Sequence, residues 1–176
     1  MQRESVDSGL RHSGTDPSRV YGRWLKTPRA GVNSTRKSGL AACGGMVRNE
    51  DGDWLIGFSK RIGICSILEA ELWGLYEDLN AAWSINIRGL LVELDCLETV
   101  KLFNNHDRLT VVSNIVHSIV EVFIRPWSTK ISHIGRESNC ATDWMAKQIN
   151  FDDLLCRRYL DPPDGLLFLL HQDVAE

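Results

Sequence analysis

Three carboxylates stand where a protein of sheets and helices gathers its chemistry. Asp95 follows directly after the apolar run Gly89–Leu94 (GLLVEL). Glu71 lies in the second turn of a helix marked by a capping signal, and Asp143 opens the helix after the alternating run Thr129–Ile134 (TKISHI). Strand ends and helix starts are where sites of α/β proteins collect. Three carboxylates around one point suit Mg²⁺, which takes oxygen ligands in octahedral geometry. Such clusters drive two-metal phosphodiester hydrolysis, one ion activating a water and the other steadying the leaving oxygen. Each residue also has an ordinary structural use: Glu71 as a solvated helix charge, Asp95 as an N-cap, Asp143 as an acid complementing a helix N-terminus. Spacing by itself leaves both uses open.

The elements that must position these residues follow from local pattern. Ser66 with Glu69 three residues on is a capping box, and Leu68, Leu72, Leu75 and Leu79 then mark one face of a helix. Leu40–Arg48 and Trp54–Ser59 are strand-like runs joined by Asn49–Asp53, whose Asp51-Gly52 is a hairpin signal. Gly44-Gly45 inside the first run predicts a bulge or a close backbone approach. Trp24–Val32 (WLKTPRAGV) predicts a damaged first strand, because Pro28 removes a ladder donor and Gly31 adds little packing. A short helix is expected through Leu97–Phe103, and a second carrying Val112, Ile115, Ile119 and Val122, stopped by Pro126. A last helix runs through Ala141–Gln148. The tail from Phe151 holds a Pro162-Pro163 break and a short apolar run, Leu166–Leu170. Antiparallel strands followed by strand–helix–strand connections make a mixed sheet flanked by helices, an α/β domain.

The 176 residues suffice for one ordinary domain, preceded by a polar leader over 1–22 and followed by a tail over 151–176 that packs on or extends from it. No apolar run approaches the roughly 18 residues of a membrane span. The five cysteines are widely spaced, with no CxxC pair, which excludes a zinc ribbon and fits reduced thiols in the nucleus or cytoplasm. Charge is uneven. Residues 1–40 hold 8 Lys or Arg against 3 Asp or Glu, a net +5, and residues 41–176 hold 12 against 20, a net −8. An acidic domain binds phosphate backbones only where its basic residues cluster or metal ions bridge the gap.

Four blocks taken together carry a family resemblance: CGGMVRNEDGDWLIGFS (43–59), LEAELWGL (68–75), LVELDCL (91–97) and SHIGRESNCATDWMA (132–146). With the tail LDPPDG, they make the chain from about residue 24 to 176 resemble the type 1 ribonuclease H-like domain, in particular the plant branch related to non-LTR retroelements. The resemblance implies a five-stranded mixed sheet in the order 3-2-1-4-5 with helices on both faces. It implies metal-dependent cleavage of the RNA strand of an RNA–DNA hybrid, with Mg²⁺ or Mn²⁺ as cofactor and the 2′-OH marking RNA as substrate. Carried over by position, Glu71, Asp95 and Asp143 are the catalytic and metal-ligating carboxylates. The partner implied is nucleic acid, hybrid or RNA, met by a monomer away from membranes.

One departure from the family pattern bears on activity. The first strand of the family supplies an aspartate that bridges both ions. Aligned on Trp24, Lys26 and Gly31, that position falls at Ala30, and Glu50, Asp51 and Asp53 belong to the hairpin turn. A misplacement of about 1 Å can cost roughly 100-fold in rate, and loss of a shared ligand costs more. The expectation is a domain that keeps the fold with little or no nuclease activity. The alternatives are a non-catalytic interaction module or a retroelement-derived remnant.

The remaining features divide between binding and packing. Gly31, Arg36, Lys37 and Arg136 are the candidate nucleic-acid contacts, beside Arg29 and the pair Lys60-Arg61. His133 is expected inside a strand and outside the chemistry. Trp54, Trp73, Trp83, Trp127 and Trp144 are expected to pack rather than stack on bases.

Overall fold

The computed structural model describes residues 21–26, 40–104, 113–135, 140–149 and 155–173. The strands are β1 (Tyr21–Lys26), β2 (Leu40–Arg48), β3 (Trp54–Ile64), β4 (Gly89–Leu94), β5 (Ser128–His133) and β6 (Arg157–Tyr159). The helices are α1 (Ile67–Ser84), α2 (Leu97–Asn104), α3 (Asn114–Phe123), α4 (Cys140–Lys147) and α5 (Leu167–Asp173), with a 3-10 turn at Asp164–Leu166 leading into the last.

The strands form one mixed sheet in the order β5-β4-β1-β2-β3-β6. β1 pairs parallel with β4 and β4 with β5, while the other pairings are antiparallel. Among the described residues the sheet therefore has six strands where five were expected. β6 is only three residues long and its pattern carries no strand signal, yet it pairs Gly57 with Tyr159 and Ser59 with Arg157 along the β3 edge. Tyr159 Oη and Ser59 Oγ, 3.1 Å apart, fasten it.

The first strand starts earlier than expected: β1 covers Tyr21–Lys26, so Tyr21 and Gly22, assigned to the leader, belong to the sheet, and the rest of the expected Trp24–Val32 lies outside the described residues. Its register against β2 runs from Tyr21 opposite Arg48 to Lys26 opposite Cys43. A central strand must offer ladder donors to two neighbours, and YGRWLK has all of them.

Two layers cover the sheet, and the adjacent glycines of β2 separate them. A β-carbon on Gly44 would lie 2.4 Å from the backbone nitrogen of Ala146 in α4. One on Gly45 would lie 2.5 Å from the Phe58 ring and 2.8 Å from Asp78 Oδ1 in α1. The pair thus serves close approach on both faces. The bulges fall elsewhere, between Ala41 and Ala42 and between Val47 and Arg48.

The larger core lies between the sheet and α1, α2 and α3, built on Leu72, Leu75, Leu79, Val92, Leu94, Phe103, Ile119 and Val122. Each such side chain contributes roughly 1.5–3 kcal/mol on burial. The smaller core, on the α4 face, joins Met46, Ala141 and Met145 to Leu166 from the C-terminal segment. That segment thereby seals a face that α4 alone leaves open.

Local signals fix the ends of α1. Both halves of the capping box are present: Glu69 N donates to Ser66 Oγ at 3.2 Å, and Ser66 N donates to Glu69 Oε2 at 2.8 Å. At its other end Asn86 takes φ 66°, a left-handed turn that a short polar residue tolerates. The hairpin is closed by Asn49, whose Oδ1 accepts from Asp51 N and Asp53 N, while Gly52 takes φ 84°.

Candidate active site

Topology brings Glu71, Asp95 and Asp143 to one edge of the sheet. β3, β4 and β5 all run toward that edge. α1 starts there after β3, Asp95 follows β4, and α4 opens after β5. Glu71 is 8% exposed in the second turn of α1. Asp95 and Asp143 are half-buried. Lys147, one turn along α4, donates Nζ to Asp143 Oδ2 at 2.7 Å, and Asp143 Oδ1 is buried without a hydrogen-bond partner.

Sharing an edge is not the same as forming a cage. Among the described residues, no group of three or more His, Cys, Asp or Glu stands so as to hold a metal ion. The strand between β2 and β4 explains part of this. β1 pairs Arg23 with Glu93, so two residues further along each chain Leu25 comes level with Asp95. The sequence holds no Asp or Glu between Pro17 and Asn49. Among the described residues, the acids at this edge therefore do not form a donor set for a pair of divalent ions.

Ala30, Gly31, Arg36, Lys37 and Arg136 lie outside the described residues, as does Arg29. Lys60 is not an open phosphate contact. Its ammonium pairs with the buried Glu77 carboxylate and lies 4.5 Å from the centroid of the Trp73 ring. His133 ends β5 and is exposed. The five cysteines are free. Burial, then Glu77, pushes the Cys43 thiol well above its usual range and raises Cys156 to about 12, so neither is a thiolate nucleophile. No helix among the described residues is long and apolar enough to cross a membrane.

Two residues beside this site escaped the reading of the sequence. Lys147 is visible in hindsight as the i+4 cation for Asp143. Asp78 lies two turns past Glu71 on the sheet-facing side of α1 and is 1% exposed. Neither of its carboxyl oxygens has a hydrogen-bond partner. Burial, and secondarily Glu77, pushes its carboxyl well above the usual range. A spacing of seven from Glu71 signals that both acids share one face.

A six-stranded mixed sheet with α1 and α4 on opposite faces, and acids at the edge where β4 and β5 end, defines a ribonuclease H-like domain. The chain belongs to the reverse transcriptase-like family, which matches residues 29–149. It is 30% identical over 154 residues to a candidate ribonuclease H protein of Arabidopsis thaliana, covering 85% of this chain and 24% of that protein. The chain thus spans about a quarter of the length of that curated relative. Among solved structures, it is similar to RNase H1 of the halophilic archaeon Halobacterium salinarum (TM-score 0.61, 21% identity, 74% of this chain and 96% of that one). It is similar also to LC11-RNase H1, solved in complex with an RNA/DNA hybrid (TM-score 0.60, 18% identity, 72% and 92%). The N-terminal RNase H domain of a Mycobacterium tuberculosis protein aligns with TM-score 0.62 at 18% identity, over 74% of this chain and 91% of that one.

Proposed function

We propose that this chain is a nucleic-acid-binding domain of the ribonuclease H type that engages RNA–DNA hybrid and cleaves it feebly or not at all. Glu71, Asp95 and Asp143 are the surviving members of its carboxylate set, and Mg²⁺ or Mn²⁺ is the cofactor an active version would need. The observation that carries this reading is the chemistry of the central strand. From Pro17 to Asn49 there is no carboxylate, and β1 brings Leu25 level with Asp95. Without an acid between Asp95 and Glu71, two ions would crowd with their charge unneutralised, and the attacking water would lose its positioning ligand.

The salt bridge from Lys147 supports the same reading. It places an ammonium against Asp143 Oδ2, where an ion would otherwise neutralise that carboxylate. A carboxylate edge held this way repels phosphates less than a bare one, which favours holding a backbone over cutting it.

The test is to restore the missing acid. Leu25→Asp and Ala30→Asp variants are assayed beside the native chain on a labelled hybrid in Mg²⁺ and in Mn²⁺, with hybrid binding followed in parallel. Binding by all three with products from one variant alone supports a silenced nuclease and says which position the shared ligand occupied. Failure of the native chain to bind hybrid at low salt would refute the binding role.

A further inference from the structure

The end of the molecule opposite the carboxylate edge carries a cation cluster that the ribonuclease H reading does not use. α1 ends at Ser84, and the left-handed turn at Asn86 carries the chain back so that Arg88 lies over Trp83. The Arg88 guanidinium carbon is 4.1 Å from the centroid of the Trp83 ring, and that of Arg125, from the turn after α3, is 5.1 Å from the same ring. Trp127 meets Trp83 edge to face at 5.3 Å. Arg158 of β6 reaches the same helix end and donates to Ser84 Oγ at 3.1 Å.

Among the described residues these arginines are held by neutral groups. Arg88 donates to Ile87 O at 2.9 Å and to the Asn86 side chain, and Arg125 donates to Asn80 Oδ1 at 3.3 Å. Glu121, one turn before Arg125, pairs with His117 instead. Among the described residues none of the three guanidinium groups pairs with a carboxylate. Cations near a helix C-terminus offset its partial negative charge, but that effect is about 0.3–1 kcal/mol and falls off within one turn. It does not account for three arginines drawn from three separate elements in a region whose net charge is −8. Stacking on an indole fixes a guanidinium and leaves in-plane N–H donors for a bidentate acceptor.

We propose that this end of the domain is a second nucleic-acid contact, which takes phosphates of a single-stranded segment on Arg88 and Arg125 with Arg158 beside them. Interleaved cations and half-buried aromatic rings are the means by which single strands are held without sequence preference, whereas a surface for an acidic peptide needs no paired indoles. The contact is separate from the carboxylate edge. Trp83 lies twelve residues beyond Glu71 on α1, about 18 Å along the axis at 1.5 Å per residue.

Binding of a labelled oligouridylate to the full chain, measured by fluorescence anisotropy across a salt series, tests the proposal. The arms are native chain, an Arg88→Ala/Arg125→Ala double variant and Lys101→Ala, which removes an exposed cation of α2. The double variant should lose about tenfold in affinity at low salt, and the slope of log K against log salt should shrink by about 1.4, which is two phosphates at about 0.7 each. Lys101→Ala should bind as the native chain does, and because the readout is binding of a single strand rather than hybrid cleavage, a failed reading of the carboxylate edge would leave this result standing. A double variant that melts lower while binding unchanged would assign the cluster a structural role and overturn the proposal. So would competition by a glutamate-rich peptide equal to that by oligouridylate, which would mark an acidic protein as the partner. If the double variant does not fold, phenylglyoxal modification of the native chain decides. Oligouridylate should slow modification of Arg88 and Arg125, and equal rates with and without it would refute the contact.

Discussion

Removing the buried acid of α1 should make this protein more stable. Asp78 is 1% exposed, both its oxygens lack partners, and it presses on the part of β2 where Gly45 has no side chain. Burying a polar group without a hydrogen bond costs about 1–3 kcal/mol. In Asp78→Ala that cost disappears. The void left behind is no larger than one water's share of roughly 30 Å³, which at about 24 cal/mol per Å³ costs about 0.7 kcal/mol. Alanine also suits a helix interior better than aspartate, by about half a kcal/mol. The net expectation is a gain of about 1–3 kcal/mol, or a rise in melting temperature of roughly 2–12 °C for a chain of this length.

The pH dependence carries the sharper sign. Because burial raises the carboxyl of Asp78 in the folded state, the folded protein keeps a proton that the unfolded chain gives up near the ordinary value of 3.8. The stability linked to that proton is full below this value and falls as pH rises above it, by up to about 1.4 kcal/mol per pH unit. Asp78→Asn should remove this slope. Urea melts from mildly acidic to neutral pH read both effects. A lower midpoint in Asp78→Ala, or the same pH slope in native chain and Asp78→Asn, would refute the argument.

Other expectations follow from the same packing. Gly44→Ala should cost about 3 kcal/mol or more, at the upper end of overpacking, because its β-carbon meets the backbone of α4 rather than a movable side chain; chemical denaturation measures it. Gly45→Ala should cost less in the Asp78→Ala background than alone, since one of its two obstacles is gone; a double-mutant cycle shows the coupling. Ser66→Ala should lose about 1 kcal/mol with the bond from Glu69 N to Ser66 Oγ, seen as a lower melting temperature with unchanged hybrid binding.

Much of the architecture was legible because its signals are local. Ser66 and Glu69 start α1, Asp51-Gly52 turns the hairpin, and the alternation of TKISHI gives β5, each within a few residues of chain. The start of β1 at Tyr21 was missed because it is decided by two distant partners: Tyr21 and Gly22 pair with Arg48 and Val47 of β2 and with Leu91 and Val92 of β4, and no local signal records either pairing. β6 was missed because three residues hold no periodicity, and its pairing is set by the β3 edge.

At the candidate site, the three acids were proposed one by one from the ends of elements, and their shared edge follows from the strand directions. Two features could not be read in this way. That Asp143 is already paired with Lys147 depends on a rotamer. That Arg88, Arg125 and Arg158 converge on the end of α1 depends on three elements far apart in sequence.

The most direct test of the central claim is product formation from a labelled RNA–DNA hybrid by the native chain in excess Mg²⁺ and Mn²⁺, beside Asp95→Asn. A central strand without a carboxylate predicts that the two give the same background, with no turnover above buffer. Cleavage by the native chain that Asp95→Asn abolishes would contradict it, and would mean that another group completes the metal site.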